Sequence, residues 1–388
     1  MLGKLSIENL TIYYVSNEVM IMKINFILPP PLRKAAGGYK VVYQYANYLS
    51  NNNDVNIYYD SRKGDNSLRV NKYVAFLLRK IICNSEPRWF NLSKKVKKKL
   101  IWEISKLYIE PADITICTSI DTMIEYHKIR EENEFVVHFI QGHENWFFKE
   151  EEVNNVYKLN TVKIVVSNWL KEKVLPFSKT DVYVVKNGVD NSIFFENKLY
   201  NRKHHSIAFM YSESKLKNSQ LSIEVISELK KQYDDLKVTA FSVHPRNKCI
   251  PEWVEYIEKA SEREVARILN EHEVFLCTSN FEGYGLPGLE AMACGCVLVS
   301  TDCKGVMEYG INKENSLISP IKDKDSLVKN IIDVFEDDIL KNKILNESRK
   351  VSCELSLDKC QRNFEEVLVY EYEKHLKEIV DKNVTNNY

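Results

Sequence analysis

The sequence predicts an α/β protein built from two doubly wound parallel-sheet domains that face a cleft. Three observations carry this. Short apolar runs alternate with longer helical patterns. The alternation restarts after a polar stretch near Asp190–His205. The chain has 388 residues, more than one core usually supports. Strand, helix and strand in repeated succession favour parallel sheets.

The elements follow in order. Lys23–Leu28 reads as a strand, and Gly37-Gly38 opens a helix with apolar Val41, Val42, Tyr45 and Leu49. Val55–Tyr59, Asp113–Cys117, Phe135–Ile140, Lys163–Val166 and Asp181–Val185 read as strands, the last ending at an Asn187-Gly188 turn signal. In the second half, Ser206–Met210, Lys237–Ser242, Val274–Thr278 and Val297–Thr301 are strands. Ser219–Gln232 and Glu262–Leu269 are helices, and residues 325–382 look helical throughout. The expected domains are an extension over 1–21, a first domain over 22–195, a second over 196–360, and a helix over 361–388 returning to the first.

Composition narrows the function. Lys+Arg and Asp+Glu are both 54, so there is none of the basic excess that nucleic-acid binders carry. No apolar run reaches the roughly 18 residues that span a membrane, and the N-terminus lacks a secretory pattern, so a cytoplasmic protein is expected. Nine cysteines in an odd, irregular set do not make a disulfide framework. Cys294, Cys296 and Cys303 have no partner pair at zinc spacing, so buried free thiols and no metal are expected.

The most informative segment is Asn280–Gly295, NFEGYGLPGLEAMACG, directly after the strand VFLCTS. Gly283 and Gly285 allow a bare backbone to approach a ligand. Pro287 suits the first turn of a helix and Gly295 its end, placing a helix over roughly Pro287–Cys294. The free N–H groups at its start make an anion site suited to a diphosphate. Glu282 precedes the helix and Glu290 lies within it, so two carboxylates flank that site.

This segment closely resembles the signature of glycosyltransferase family 4, two glutamates with seven residues between them. Weaker likenesses extend over about residues 22–330: AAGGYKVVYQYANYLS, VVSNWLKEKV, VVKNGVDNSIF and GCVLVSTDCKGVMEYG with Glu308. The resemblance implies a GT-B fold of two Rossmann-like domains, a retaining reaction and no metal or other cofactor beyond a nucleotide-diphosphate sugar donor. It implies Glu282 on the transferred sugar and Glu290 on the ribose. The backbone of Gly283, Tyr284, Gly285 and Leu286 would face the sugar and phosphates, with Gly37 and Gly38 close to the diphosphate. Lys217 fits the family's phosphate-binding lysine. Glu213 stands about where the family often has an arginine, with Lys215 as a nearby substitute; an acid there would repel phosphate. His143 fits a histidine that touches the donor, whereas His138 reads as a core residue. The nucleobase is expected near Ser242–Arg246.

The implied function is hexosyl or deoxyhexosyl transfer to a glycan or lipid-linked acceptor in bacterial surface polysaccharide synthesis. A phosphorylase would need a cofactor-bearing lysine signature, which the sequence lacks, and the two-glutamate context disfavours an epimerase. A non-catalytic GT-B partner subunit is the alternative that Glu213 favours. Residues 61–109 carry thirteen Lys or Arg against three acids. Leu92, Val96, Leu100 and Ile104 repeat at helical spacing among Lys94, Lys95, Lys97, Lys98 and Lys99. Residues 88–108 therefore read as a basic amphipathic helix suited to an anionic membrane surface, or else a charged face on a core helix.

Overall fold

The computed structural model describes residues 4–7, 10–13, 21–62, 71–145 and 147–385. β1 (Lys4–Ile7) and β2 (Leu10–Tyr13) pair antiparallel in a small sheet of their own. The rest of the expected extension, up to residue 20, lies outside the described residues.

The first large sheet holds β3 (Lys23–Leu28), β4 (Asp54–Asp60), β5 (Lys97–Ile101), β6 (Ile114–Cys117), β7 (Val136–Ile140), β8 (Val162–Val165) and β9 (Val182–Val184). Their spatial order is β5-β4-β3-β6-β7-β8-β9, and every pair is parallel. The helices between them are α1 (Gly37–Leu49), α2 (Lys72–Ser85), α3 (Ile120–His127), α4 (Glu150–Tyr157) and α5 (Asn168–Val174). The central strands are buried along nearly their whole length and are mostly apolar, with helices covering both faces as in other parallel sheets.

The second sheet holds β10 (Ser206–Met210), β11 (Lys237–Ser242), β12 (Glu255–Glu258), β13 (Val274–Cys277), β14 (Val297–Thr301) and β15 (Leu317–Ser319). Its order is β12-β11-β10-β13-β14-β15, again all parallel. α6 (Ser219–Lys230), α7 (Glu262–Glu271) and α8 (Leu286–Ala293) connect these strands. The edge strands β12 and β15 are short and carry little apolar patterning, and sequence reading did not mark them.

The tail expected to be helical is three helices: α9 (Lys324–Glu336), α10 (Asp338–Glu354) and α11 (Leu357–Thr385). α9 and α10 pack on the second sheet. α11 crosses back to the first domain, where Phe364 stacks on Tyr45 at 4.1 Å between ring centroids and Tyr372 donates to Asp113 Oδ1 at 3.0 Å.

One expectation needs correction. Residues 88–108 are not a helix: they hold the edge strand β5 between irregular segments. Lys97 and Lys99 are exposed, whereas Lys98 and Leu100 are half-buried. The lysines thus follow the two-residue period of a strand. The helix of this region is α2, upstream. Cys294, Cys296 and Cys303 are free and buried, as expected, while Cys249 and Cys353 are free and exposed.

Candidate functional site

The chain crosses between the domains twice, and the two crossings touch. Val189 donates to Leu355 O at 2.9 Å, and Leu357 donates to Val189 O at 2.8 Å. A Cβ on Gly188 would lie 2.7 Å from the Leu357 backbone, so only glycine permits this approach. Both sheets reverse strand order at their first strand: β4 and β6 flank β3, and β11 and β13 flank β10. Carboxyl ends of strands at such switch points form ligand crevices. Here the two crevices face one another and enclose a cavity of about 810 Å³.

Nine of the eleven residues singled out in the sequence line this cavity: Gly37, Gly38, Lys217, Glu282, Gly283, Tyr284, Gly285, Leu286 and Glu290. The helix behind the signature is α8. Gly285 sits at its N-cap with φ 86°, a left-handed conformation that disfavours any side chain. A Cβ on Gly283 would strike the Gln141 carbonyl oxygen of the facing domain. The loop is therefore glycine-rich where it turns and where the other domain presses on it. Gly37 opens α1 with nothing within 4 Å of where its Cβ would stand, leaving open space on the cavity wall.

Glu282 is buried and fully engaged. Lys217 Nζ lies 2.6 Å from both its carboxylate oxygens, and Ser279 Oγ donates to Oε1 at 2.7 Å. Burial alone would depress the Lys217 ammonium, but Glu282 holds it above its ordinary value. Glu290, one turn into α8, meets a cation from the other domain. Lys40 of α1 donates to Glu290 Oε1 at 2.7 Å and lies 2.6 Å from Glu262 Oε1. Its Nζ also stands 5.1 Å from the Phe194 ring centroid. Burial works against the Lys40 charge, and the two carboxylates outweigh it, raising its pKa.

Further bonds join the domains beside the cavity. Trp169 Nε1 donates to Gly283 O at 3.0 Å, and its ring meets Phe281 edge-on. Glu308 accepts from Asn168 Nδ2 at 3.0 Å and from the Trp169 N–H at 3.2 Å. Lys186 Nζ donates to Glu308 O at 2.7 Å. Asn187 lines the cavity, and its side-chain oxygen is buried without a partner among the described residues.

Two of the singled-out residues are elsewhere. His143 is buried away from the cavity wall: Nδ1 is 3.1 Å from Tyr157 Oη and Nε2 is 2.9 Å from Glu150 Oε1. Gln141, two positions earlier, lines the cavity and donates to Gly38 O at 3.1 Å. Lys215 is exposed off the cavity wall and uses only its carbonyl, for Asn280. Glu213 is exposed too, 3.7 Å from His244 Nδ1, and does not line the cavity. Of Ser242–Arg246, the expected nucleobase region, Ser242, Val243 and His244 line it. Lys40, Gln141 and Glu262 are the residues that sequence reasoning missed. Among the described residues no group of three or more His, Cys, Asp or Glu could hold a metal ion.

Two facing Rossmann-like halves with this cleft are the GT-B fold, and solved structures agree. Sucrose-phosphate synthase from Thermosynechococcus elongatus superposes with a TM-score of 0.72 at 13% identity, over 91% of this chain and 99% of that one. Anabaena Alr3699/HepE, in complex with UDP and glucose, gives 0.69 at 12% identity, over 90% and 100%. Residues 190–351 match the family model described as glycosyl transferases group 1. An uncharacterized glycosyltransferase of Methanocaldococcus jannaschii, MJ1178, is 23% identical over 52% of this chain; the match spans 57% of that relative's length. The family model thus matches less than half of this chain, and the solved structures show the GT-B fold.

Proposed function

We propose that the protein is a retaining glycosyltransferase that moves a hexosyl or deoxyhexosyl group from a nucleotide-diphosphate sugar to a glycan or lipid-linked acceptor. The observation that carries this is one cavity holding the α8 N-terminus, Lys217 and the two glutamates. The diphosphate lies against the N–H groups at the start of α8, which offers positive dipole and free donors to an anion. Glu282 accepts hydroxyls of the transferred sugar, and Glu290 those of the ribose. Ser242–His244 lie beside the base. A uridine nucleotide is the first donor to try, since UDP sits in the Anabaena neighbour.

In the reaction the bond between the sugar's anomeric carbon and the diphosphate oxygen breaks, and the acceptor oxygen bonds to that carbon on the same face. The acceptor's proton passes to the leaving phosphate oxygen. Lys217 and the α8 N–H groups stabilise the charge that develops there. Neither metal nor cofactor has a role in this scheme. Synthesis of a bacterial surface polysaccharide is the setting we favour.

The test is thermal stabilisation by a panel of nucleotides and nucleotide sugars, with Glu290→Ala alongside. A donor that binds the native state must raise its melting temperature. One nucleotide family should stabilise the wild type and lose that effect in the variant. The second reading, a non-catalytic partner subunit, was motivated by Glu213, whose side chain is off the cavity wall. Donor hydrolysis without acceptor separates the two: nucleotide binding with no hydrolysis and no transfer would favour the partner subunit.

A further inference from the structure

We propose that the exposed face of α2 docks on an anionic lipid surface. α2 is an incompletely covered helix. Of its fourteen residues only Cys83 is buried. One side leans on β5 and Trp102, with Phe76 5.1 Å from the Trp102 ring centroid. The other side leaves Val74, Leu77 and Ile81 exposed at 45%, 59% and 59%, and Tyr73, whose ring stacks on Trp102 at 5.5 Å between centroids, still 60% exposed at the edge of the stripe. At 3.6 residues per turn these four fall within an arc of about 100°. Single exposed apolar residues are ordinary, but an aligned stripe of four large ones on a helix marks a contact surface.

The charge around the stripe selects the occupant. Residues 71–109 hold ten Lys or Arg against two acids, in a chain whose net charge is zero. Lys72 and Lys80 lie on α2 itself and are exposed. Lys98 of β5 donates to Cys83 O at 2.9 Å, which brings the lysine-rich edge strand against the end of α2. Lys72, Lys80, Lys94, Lys95 and Lys99 form no ion pair with a described residue. A second copy of the chain docking symmetrically here would set these lysines against themselves. An anionic bilayer takes the apolar stripe below its headgroups and neutralises the surrounding lysines.

The position also matters. α2 ends at Ser85, and Arg88 and Trp89 line the cleft. A bilayer under α2 therefore lies beside the cleft mouth, where a lipid-linked acceptor could enter. That consequence rests on the proposed function; the docking does not.

Flotation with vesicles tests the docking. The protein should float with vesicles containing phosphatidylglycerol and not with phosphatidylcholine alone, and added salt should release it. Leu77→Glu with Ile81→Glu should weaken binding about tenfold or more, and Lys72→Gln with Lys80→Gln several-fold. All four positions are exposed, so the variants should melt like the wild type. Failure of the wild type to float overturns the proposal, as does unchanged flotation of the Leu77/Ile81 variant. So does a dimer that this variant converts to monomer without any vesicle binding. Nucleotide stabilisation is measured without lipid, so its result is independent of this one.

Discussion

Two lysine–glutamate pairs stand in one cavity and differ in kind. Lys217–Glu282 lies within the second domain, its partners 65 positions apart, and Ser279 completes it. Lys40–Glu290 spans the cleft, with partners 250 positions apart and a second acid, Glu262, on the same ammonium. The first pair survives any motion of one domain against the other. The second exists only while the cleft is closed. One is thus part of a rigid binding surface, and the other couples that surface to domain position. The Trp169 and Glu308 bonds across the same boundary share that dependence.

The largest expected effect separates the pairs on activity. Lys217→Met removes the cation we place at the leaving phosphate and leaves Glu282 buried with only Ser279 for company. Loss of a preorganised charge of this kind costs about 10²–10³ in kcat, and the unpaired acid costs about 3 kcal/mol of stability. Steady-state transfer and thermal melting measure both. Transfer within threefold of wild type would remove Lys217 from the chemistry.

Lys40→Met should act on the cleft instead. Glu290 and Glu262 would repel one another and the incoming diphosphate, and the closed form would lose a link between domains. We expect donor affinity to fall about tenfold, equivalent to about 1.4 kcal/mol, with a smaller change in kcat. Small-angle scattering should report a larger radius of gyration in the free variant. Lys40→Arg should restore most of the affinity. Tighter binding in Lys40→Met would reverse the assignment: the bridge would then compete with the ribose for Glu290.

The sequence revealed the first pair's setting and hid the second for a physical reason. Local spacing announces α8: a glycine turn, a proline in its first turn and a glycine after its end, with both acids at fixed offsets. Lys40 follows the glycines of α1 like any helix lysine, and only the packing of two domains brings it to Glu290. The same limit applies to Gln141 and His143. They share one loop after β7, and nothing in their spacing says which faces the cavity. The β5–α2 region misled for another reason. Val96, Leu100 and Ile104 fit a helical period, but the chain there is an edge strand whose lysines alternate outward. α2 stays inconspicuous because apolar residues occur on both its covered and exposed sides, blurring the amphipathic signal.

The smallest expected effect sharpens the comparison within the second pair. Lys40 has two acids, and they are not equivalent: the Glu290 side chain is 10% exposed and that of Glu262 31%. Coupling strengthens as charges leave water, while exposed pairs are worth only about 0.2–1 kcal/mol. Glu262 is also favoured at the start of α7, where its charge meets the positive helix end, independently of Lys40. Double-mutant cycles of Lys40→Met with Glu262→Gln and with Glu290→Gln, read by melting without nucleotide, isolate each term. We expect under about 1 kcal/mol for Glu262 and a clearly larger coupling for Glu290. Equal couplings would mean that Lys40 is held by the acidic end of the cleft as a whole. The bridge would then not depend on the carboxylate we assign to the ribose, and the link between donor binding and domain closure would have to run through Glu262 as well.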